Sequence, residues 1–466
     1  MQHSINLKPR PRTLVLAGVL ATLLGTSGCN PTSIDPVTDP NNPSLESVLT
    51  NATPTQINAL ATGVEASLRL GHTNNAPYNQ MTGTLGREII ILASNEPRWY
   101  TEILGSKTSL DNAGFYSVGS YISFARTIRA ANVLRQSAQG TTTITNVQKQ
   151  GVLAFCDTYE AIAKLHMINL MGENGIRIDV ADYLHPGKFT VGSAPALINI
   201  RQLLDKGAAE LANAGTAFSF PLSSGYAGFD TPATFLKFNR AMAARVALYQ
   251  GDNAGALTAL TASFYDPTAS LTLGPKINFS PGTAGDEGNS YFQVPDSGPS
   301  TLVTVPANFT TEAETGDLRL SKVSLRTTPR ALGGITGSYD PLVYPTQTTP
   351  LGIIRNEELI LIAAEAKAKT NDIAGAVTAI NTIRTRAGGL AVYTGVVTPA
   401  ALINEVLRQR RYSLFYEGQF WVDMRRLGKF NPTPTANITL PYATGSFNLF
   451  DRLAIPFAET AWDQAN

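Results

Sequence analysis

Apolar residues recur at helical spacing through most of this chain, and the places where the period stops are as informative as those where it holds. Gln56 to Leu70, Tyr121 to Leu134 and Val147 to Leu170 each keep the rhythm that turns one apolar face toward a core. Near the C-terminus Ile403, Val406, Leu407, Leu414 and Phe415 continue it. They predict a helix ending at Gly418, where glycine supplies a left-handed cap. Between Phe264 and Gly352 the rhythm disappears. That stretch is rich in Pro, Gly, Thr and Ser and carries only short strand-like runs, Leu271 to Leu273 and Leu302 to Val305. An insertion of this length reads as loops displayed on a scaffold, where function tends to reside.

The helical part repeats itself. Ala243 to Leu260 aligns without gaps on Ala363 to Ile380, with Ala244 and Ala256 in one copy matching Ala364 and Ala376 in the other. Alanines at such positions let two antiparallel helices approach closely, as in tetratricopeptide-like hairpins. Gly251-Asp252 and Asn371-Asp372 supply the turn and the cap of the second helix. The expected fold is mainly α: one large helical domain with tetratricopeptide-like hairpins and long loop insertions carrying short strands.

At the front, Lys8, Arg10 and Arg12 precede an apolar run from Leu14 to Leu24. That run is too short to span a bilayer, which needs ~20 residues, but it suits a signal peptide. Thr26-Ser27-Gly28-Cys29 follows and looks like a bacterial lipobox, with Thr26 where leucine is usual. Cys29 is therefore the expected lipidation site. The prolines and Asn/Asp residues after it forbid regular structure and predict an extended tether. The expected division is 1–28 signal peptide, 29–50 lipidated N-terminus and tether, and 51–466 helical domain, with 264–352 as its loop-rich insertion. Cys156 is the second of two cysteines and reads as a small buried helix residue.

The segment Arg408-Gln-Arg-Arg-Tyr-Ser-Leu-Phe-Tyr-Glu-Gly-Gln-Phe-Trp-Val-Asp-Met-Arg-Arg-Leu-Gly428 resembles the signature near the C-terminus of the SusD/RagB family. Glu417, Gly418, Asp423, Arg425 and Arg426 carry the match, while Ser413 stands where an acid is common and Leu427 where tryptophan is. Tyr121 to Leu134, with Asn132 in mid-helix bonding backbone, is similar to a helix of the same family. The resemblance implies a nutrient-binding lipoprotein anchored in the outer membrane and facing the cell exterior. It would deliver an oligosaccharide, or a peptide, to a SusC-like TonB-dependent transporter. Arginines alternating with aromatics here read as ion pairs threaded through a core, a fold signature rather than a binding site.

Charge supports that choice. Lys and Arg number 36 against 35 for Asp and Glu, a net charge of +1, so no electrostatic footprint for nucleic acid is present. The four histidines are scattered, no metal-binding spacing occurs, and no cofactor or phosphate-loop motif is found. Glu357-Glu358 opens a helix, where acids favour the dipole. Non-catalytic binding is the expectation, not an enzyme. Sugar surfaces need flat aromatics beside planar polar groups. Asn95, Arg98, Trp99 and Tyr100, next to Glu96, offer these in a non-periodic stretch. In the long insertion Tyr291 and Tyr339 are the chosen candidates, among Tyr265, Phe292 and Tyr344, and its loops are expected to form the opposite wall. Trp421 and Trp462 read as core. The alternative is a helical-repeat envelope adaptor whose concave face holds another protein.

Overall fold

The computed structural model describes residues 45–106, 109–282, 286–443 and 447–465. The chain divides into two units, 1–47 and 48–466. The signal peptide, Cys29 and most of the tether lie outside the described residues. The last tether residues belong to a short helix, α1 (Leu45–Asn51), and are not extended.

Among the described residues, with short helical turns such as Trp99–Ile103 between them, thirteen further α-helices follow in chain order. They are α2 (Pro54–Thr73), α3 (Tyr78–Leu85), α4 (Phe115–Gly140), α5 (Asn146–Met171), α6 (Ser193–Leu211), α7 (Pro232–Gln250) and α8 (Asn253–Thr261). Then come α9 (Asn308–Thr311, inside the insertion), α10 (Asn356–Lys369), α11 (Ile373–Arg386), α12 (Pro399–Ser413), α13 (Phe420–Arg426) and α14 (Phe457–Ala465). Helix α2 packs on α4, and from α4 to α8 each helix packs on the next; α10 then packs on α7, α8, α11 and α12. Local chemistry sets the starts: Thr53, Thr145 and Thr231 each form a capping box with the residue three positions on. No helix among the described residues is long and apolar enough to cross a membrane.

The repeat is real at the level of single atoms. Asp252 and Asp372 cap α8 and α11 by accepting from the backbone N–H groups of Gly255 at 2.8 Å and Gly375 at 2.9 Å. Gly251 and Asn371 before them are both left-handed. Ala244, Ala256, Ala364 and Ala376 are wholly buried at the hairpin contacts.

Strands are short and paired two by two. β1 (Ile90–Ala93) pairs antiparallel with β5 (Thr301–Thr304), β2 (Ile176–Arg177) with β3 (Phe189–Thr190), β4 (Lys276–Ile277) with β8 (Leu351–Gly352), and β6 (Val323–Leu332) with β7 (Ile335–Pro341). The β1–β5 pair does most to position a site, because it joins the N-terminal loop to the insertion in the register Ile90 to Thr304. Two local expectations are corrected. Leu271 to Leu273 lie in a turn instead of a strand. The C-terminal helix stops at Ser413 and restarts at Phe420, because Tyr416 and Gly418 are both left-handed and reverse the chain between them.

Candidate ligand-binding site

A cavity of about 990 Å³ opens where the loop after β1 meets the insertion. One wall comes from residues 74–80 and 95–99 with Phe115 at the start of α4; the other comes from residues 290–303 and Gln347. Both walls are tied down. Asn74 Oδ1 accepts from the Ala76 N–H at 2.7 Å, and its Nδ2 donates to Ser123 at 2.8 Å. Ser94 donates its N–H to the Ser300 carbonyl at 2.8 Å, continuing the β1–β5 ladder. Gln293 spends its carboxamide on the framework, accepting from the Val303 N–H at 2.8 Å and donating to Asp340 at 2.9 Å. Asn289 holds the same segment by donating to the Thr349 carbonyl at 2.7 Å.

The polar lining is dominated by carboxamides: Asn74, Asn75, Gln80, Asn95, Gln293 and Gln347. Three are framework or buried. The other three, Asn75, Asn95 and Gln347, are exposed to the cavity mouth. Asn95 accepts from the Thr301 hydroxyl at 2.9 Å, which leaves its NH2 group free for a ligand. Charge is confined to one pair. Arg98 donates to both oxygens of Glu96, at 2.7 and 2.6 Å, and these bonds hold the Glu96 carboxyl below the usual carboxylate range. Arg98 also lies 4.9 Å over the Phe115 ring. Among the described residues Glu96 is the one carboxylate on the wall, and no three His, Cys, Asp or Glu side chains converge as metal ligands do.

Comparison with known proteins places this architecture. The sequence profile of the SusD family matches residues 342–451. Surface glycan-binding protein A from Bacteroides thetaiotaomicron superposes with a TM-score of 0.67 at 15% identity, covering 90% of this chain and 98% of that one. A SusD superfamily protein from Bacteroides vulgatus gives 0.65 at 15% identity over 88% and 97%. One from Bacteroides thetaiotaomicron gives 0.64 at 15% over 88% and 98%. The chain carries the SusD-family signature on the SusD fold. No curated protein sequence matches it.

The SusD signature is visible as a lattice of buried ion pairs. Arg410 donates to Asp423 at 2.6 Å with both side chains only 1% exposed. Arg426 bridges Glu365 at 2.6 Å and Asp423 at 2.8 Å. Arg355 reaches Glu417 at 2.7 Å, Arg245 reaches Glu358 at 2.5 Å, and Arg411 reaches Glu312 at 2.5 Å. Burial alone would raise the Glu365 carboxyl, but Arg426 and Lys369 outweigh it and hold it at about 2. Gly418 is required twice over, since its φ is +80° and a Cβ would come within 2.6 Å of the Tyr78 ring. Glu357 and Glu358, expected to serve the helix dipole, are also lattice members through Arg355 and Arg245.

Of the candidate site residues, Asn95, Arg98, Trp99 and Tyr291 come together on the cavity, while Tyr100 and Tyr339 do not line it. Tyr100 packs in a small cluster beside β1, and Tyr339 packs against the main core from β7. Trp99 is only 4% exposed and meets Phe115 edge to face at 5.4 Å, so it offers a rim and no open face. Tyr291 is 2% exposed, and its hydroxyl is engaged by His72 at 3.0 Å and the Asn79 N–H at 3.2 Å. Tyr344 is buried beside it, Tyr265 is half-buried in the core, and Phe292 is half-buried on the cavity. The histidines are not all scattered, because His72 and His166 meet at 5.5 Å in this core. Burial pushes both below the ordinary imidazole range, His166 to about 4, so both pack as neutral rings. Sequence reasoning missed the exposed carboxamides Asn75 and Gln347 and the ring of Phe115. A lone amide gives no local signal.

Proposed function

We propose that this chain binds a neutral oligosaccharide in the carboxamide-lined cavity and delivers it to a TonB-dependent outer-membrane transporter. The observation that carries the reading is the lining itself. Three outward carboxamides, Asn75, Asn95 and Gln347, provide planar donors and acceptors for hydroxyls, beside the half-buried rings of Phe115 and Phe292. Arg98 and Glu96 cancel each other, so the wall carries no net charge to favour a uronate, a sulfate or a peptide terminus. A single locked carboxylate is a poor basis for glycoside hydrolysis, which uses a facing pair of acids. The likeness to a surface glycan-binding protein supports the same ligand class.

Anchoring belongs to this reading. Cys29, reached by the signal peptide of residues 1–28, is proposed as the lipidated residue that holds the protein on the outer membrane, with residues 30–44 as spacer. The transporter is the proposed partner. The test begins with an array of neutral, acidic and peptide ligands on the purified protein. Binding of a neutral glycan, weakened about tenfold in an Asn75→Ala/Gln347→Ala double variant that melts normally, is expected. Selective capture of peptides, or glycan binding indifferent to both substitutions, would overturn the assignment. Cys29→Ser is expected to release the protein from membranes, and a variant that still pellets in high salt removes Cys29 as the anchor.

A further inference from the structure

A second cavity, of about 290 Å³, lies between α4, α5, the segment after β2 and the C-terminal helix α14. It shares no lining residue with the carboxamide cavity. Its walls are mostly apolar, built from Ala125, Ile128, Met167 and Val180 with the rings of Tyr121 and Trp462, the latter half-buried here and not in the core. At its edge Arg129 stacks on Tyr183, with the guanidinium carbon 3.2 Å from the ring centroid. That stacking fixes the guanidinium plane and leaves its N–H groups uncommitted. Among the described residues Arg129 makes no ion pair.

The other arginine of the cavity behaves differently. Arg177 is saturated by Glu459 at 2.7 Å, by Asp463 at 2.8 Å and by the Gly187 carbonyl. Those two acids hold α14 in place as part of the cavity wall, since no residue of α14 is itself fully buried. Asp182, nearest in sequence to Tyr183, is taken by His185 at 3.0 Å. An apolar chamber with one plane-fixed, acid-free guanidinium at its mouth suits a ligand with an apolar body and a single anionic end.

We propose that this cavity binds a small amphiphilic monocarboxylate, an aryl- or alkyl-substituted acid, with its apolar body between Ile128, Met167 and Val180 and its carboxylate on Arg129. The carboxylate takes a forked pair of N–H donors from a guanidinium already oriented by Tyr183. The apolar body displaces water from the Ile128, Met167 and Val180 side of the cavity, which offers that water no hydrogen bonds.

Phenylbutyrate and its uncharged analogue phenylbutanol are suitable probes, titrated by calorimetry into the purified protein. Phenylbutyrate is expected to bind with a Kd on the order of 1 mM or tighter, a size-limited affinity for so small a ligand. Phenylbutanol should bind about tenfold more weakly, the scale of a lost charge-assisted bond. Arg129→Met, a change at a partly exposed side chain, should erase the difference between the two probes. Ala125→Phe, which fills the chamber, should abolish both. No saturable binding to the unaltered protein would overturn the proposal. So would full discrimination retained in Arg129→Met, or loss of phenylbutyrate in Phe292→Ala, which would move the acid to the other cavity.

Discussion

In the stretch from Arg355 to Arg426 polarity is buried as matched charge, whereas along the walls formed by residues 74–80, 95–99 and 290–303 it is carried by carboxamides and hydroxyls beside an open volume. The difference comes from what each group tolerates. A charge removed from water must meet its counter-charge, and the burial that this pairing allows keeps both groups away from any ligand. A carboxamide can satisfy one half on the framework and keep the other half open, as Asn95 does by accepting from Thr301. The ion pairs therefore fix architecture, and the amides present a surface without a net field.

The largest effect is expected at Asp423, which serves both Arg410 and Arg426. Asp423→Ala should lower stability by about 3–5 kcal/mol, because two buried guanidinium groups lose a partner. Thermal unfolding would show it, and ligand affinity per folded molecule should stay the same. Lost binding at normal stability would reverse the assignment of this segment.

Acid should weaken the lattice. The folded Glu365 carboxyl sits at about 2, below its ordinary unfolded value near ~4.5, so the unfolded chain takes up the proton first. Its contribution is complete above about pH 4.5 and fades as pH falls toward about 2, up to about 3 kcal/mol in all. Glu365→Gln should lose that contribution at neutral pH and flatten this part of the acid unfolding curve. A curve of unchanged steepness would mean that other carboxylates set the acid limit.

Trp99 tests the border between the two regimes. Its burial predicts that Trp99→Ala costs about 3 kcal/mol of stability, as large aromatic truncations in cores do. A cooperative melt near the unaltered temperature, with binding lost, would instead make its rim the main ligand contact. Phe292 should show the opposite balance: Phe292→Ala leaves the melt nearly unchanged and weakens glycan binding by about 1 kcal/mol, the worth of one ring contact. Asn75→Ala alone should be smallest, about 0.5–1 kcal/mol in binding by calorimetry.

How far each region could be read in advance depends on the range of its interactions. The hairpin turns were legible because Asp252 and Asp372 act on glycines three residues away. The arginine signature was legible as a motif, but its partners were not. Arg355, Glu365 and Glu312 come from other elements and from up to ninety-nine positions away. Of the cavity, the Asn95–Trp99 stretch and Tyr291 could be suspected from composition. Tyr100 lies in the helical turn Trp99–Ile103 and Tyr339 in β7, and no local pattern told them apart from the residues that line the cavity.

The strongly periodic helices and the paired hairpins with their Asp252 and Asp372 caps were readable from the chain alone, because each depends on neighbours within one or two turns. Tertiary structure alone decided that β1 pairs with β5, some two hundred residues on, and so carries Asn95 to Thr301. It alone decided that Trp99 turns inward on Phe115 while Asn75 and Gln347 remain at the mouth. It also set Arg129 on Tyr183 without an ion pair among the described residues. Such pairings cost loop-closure entropy that no local pattern records, and only the assembled core offsets it.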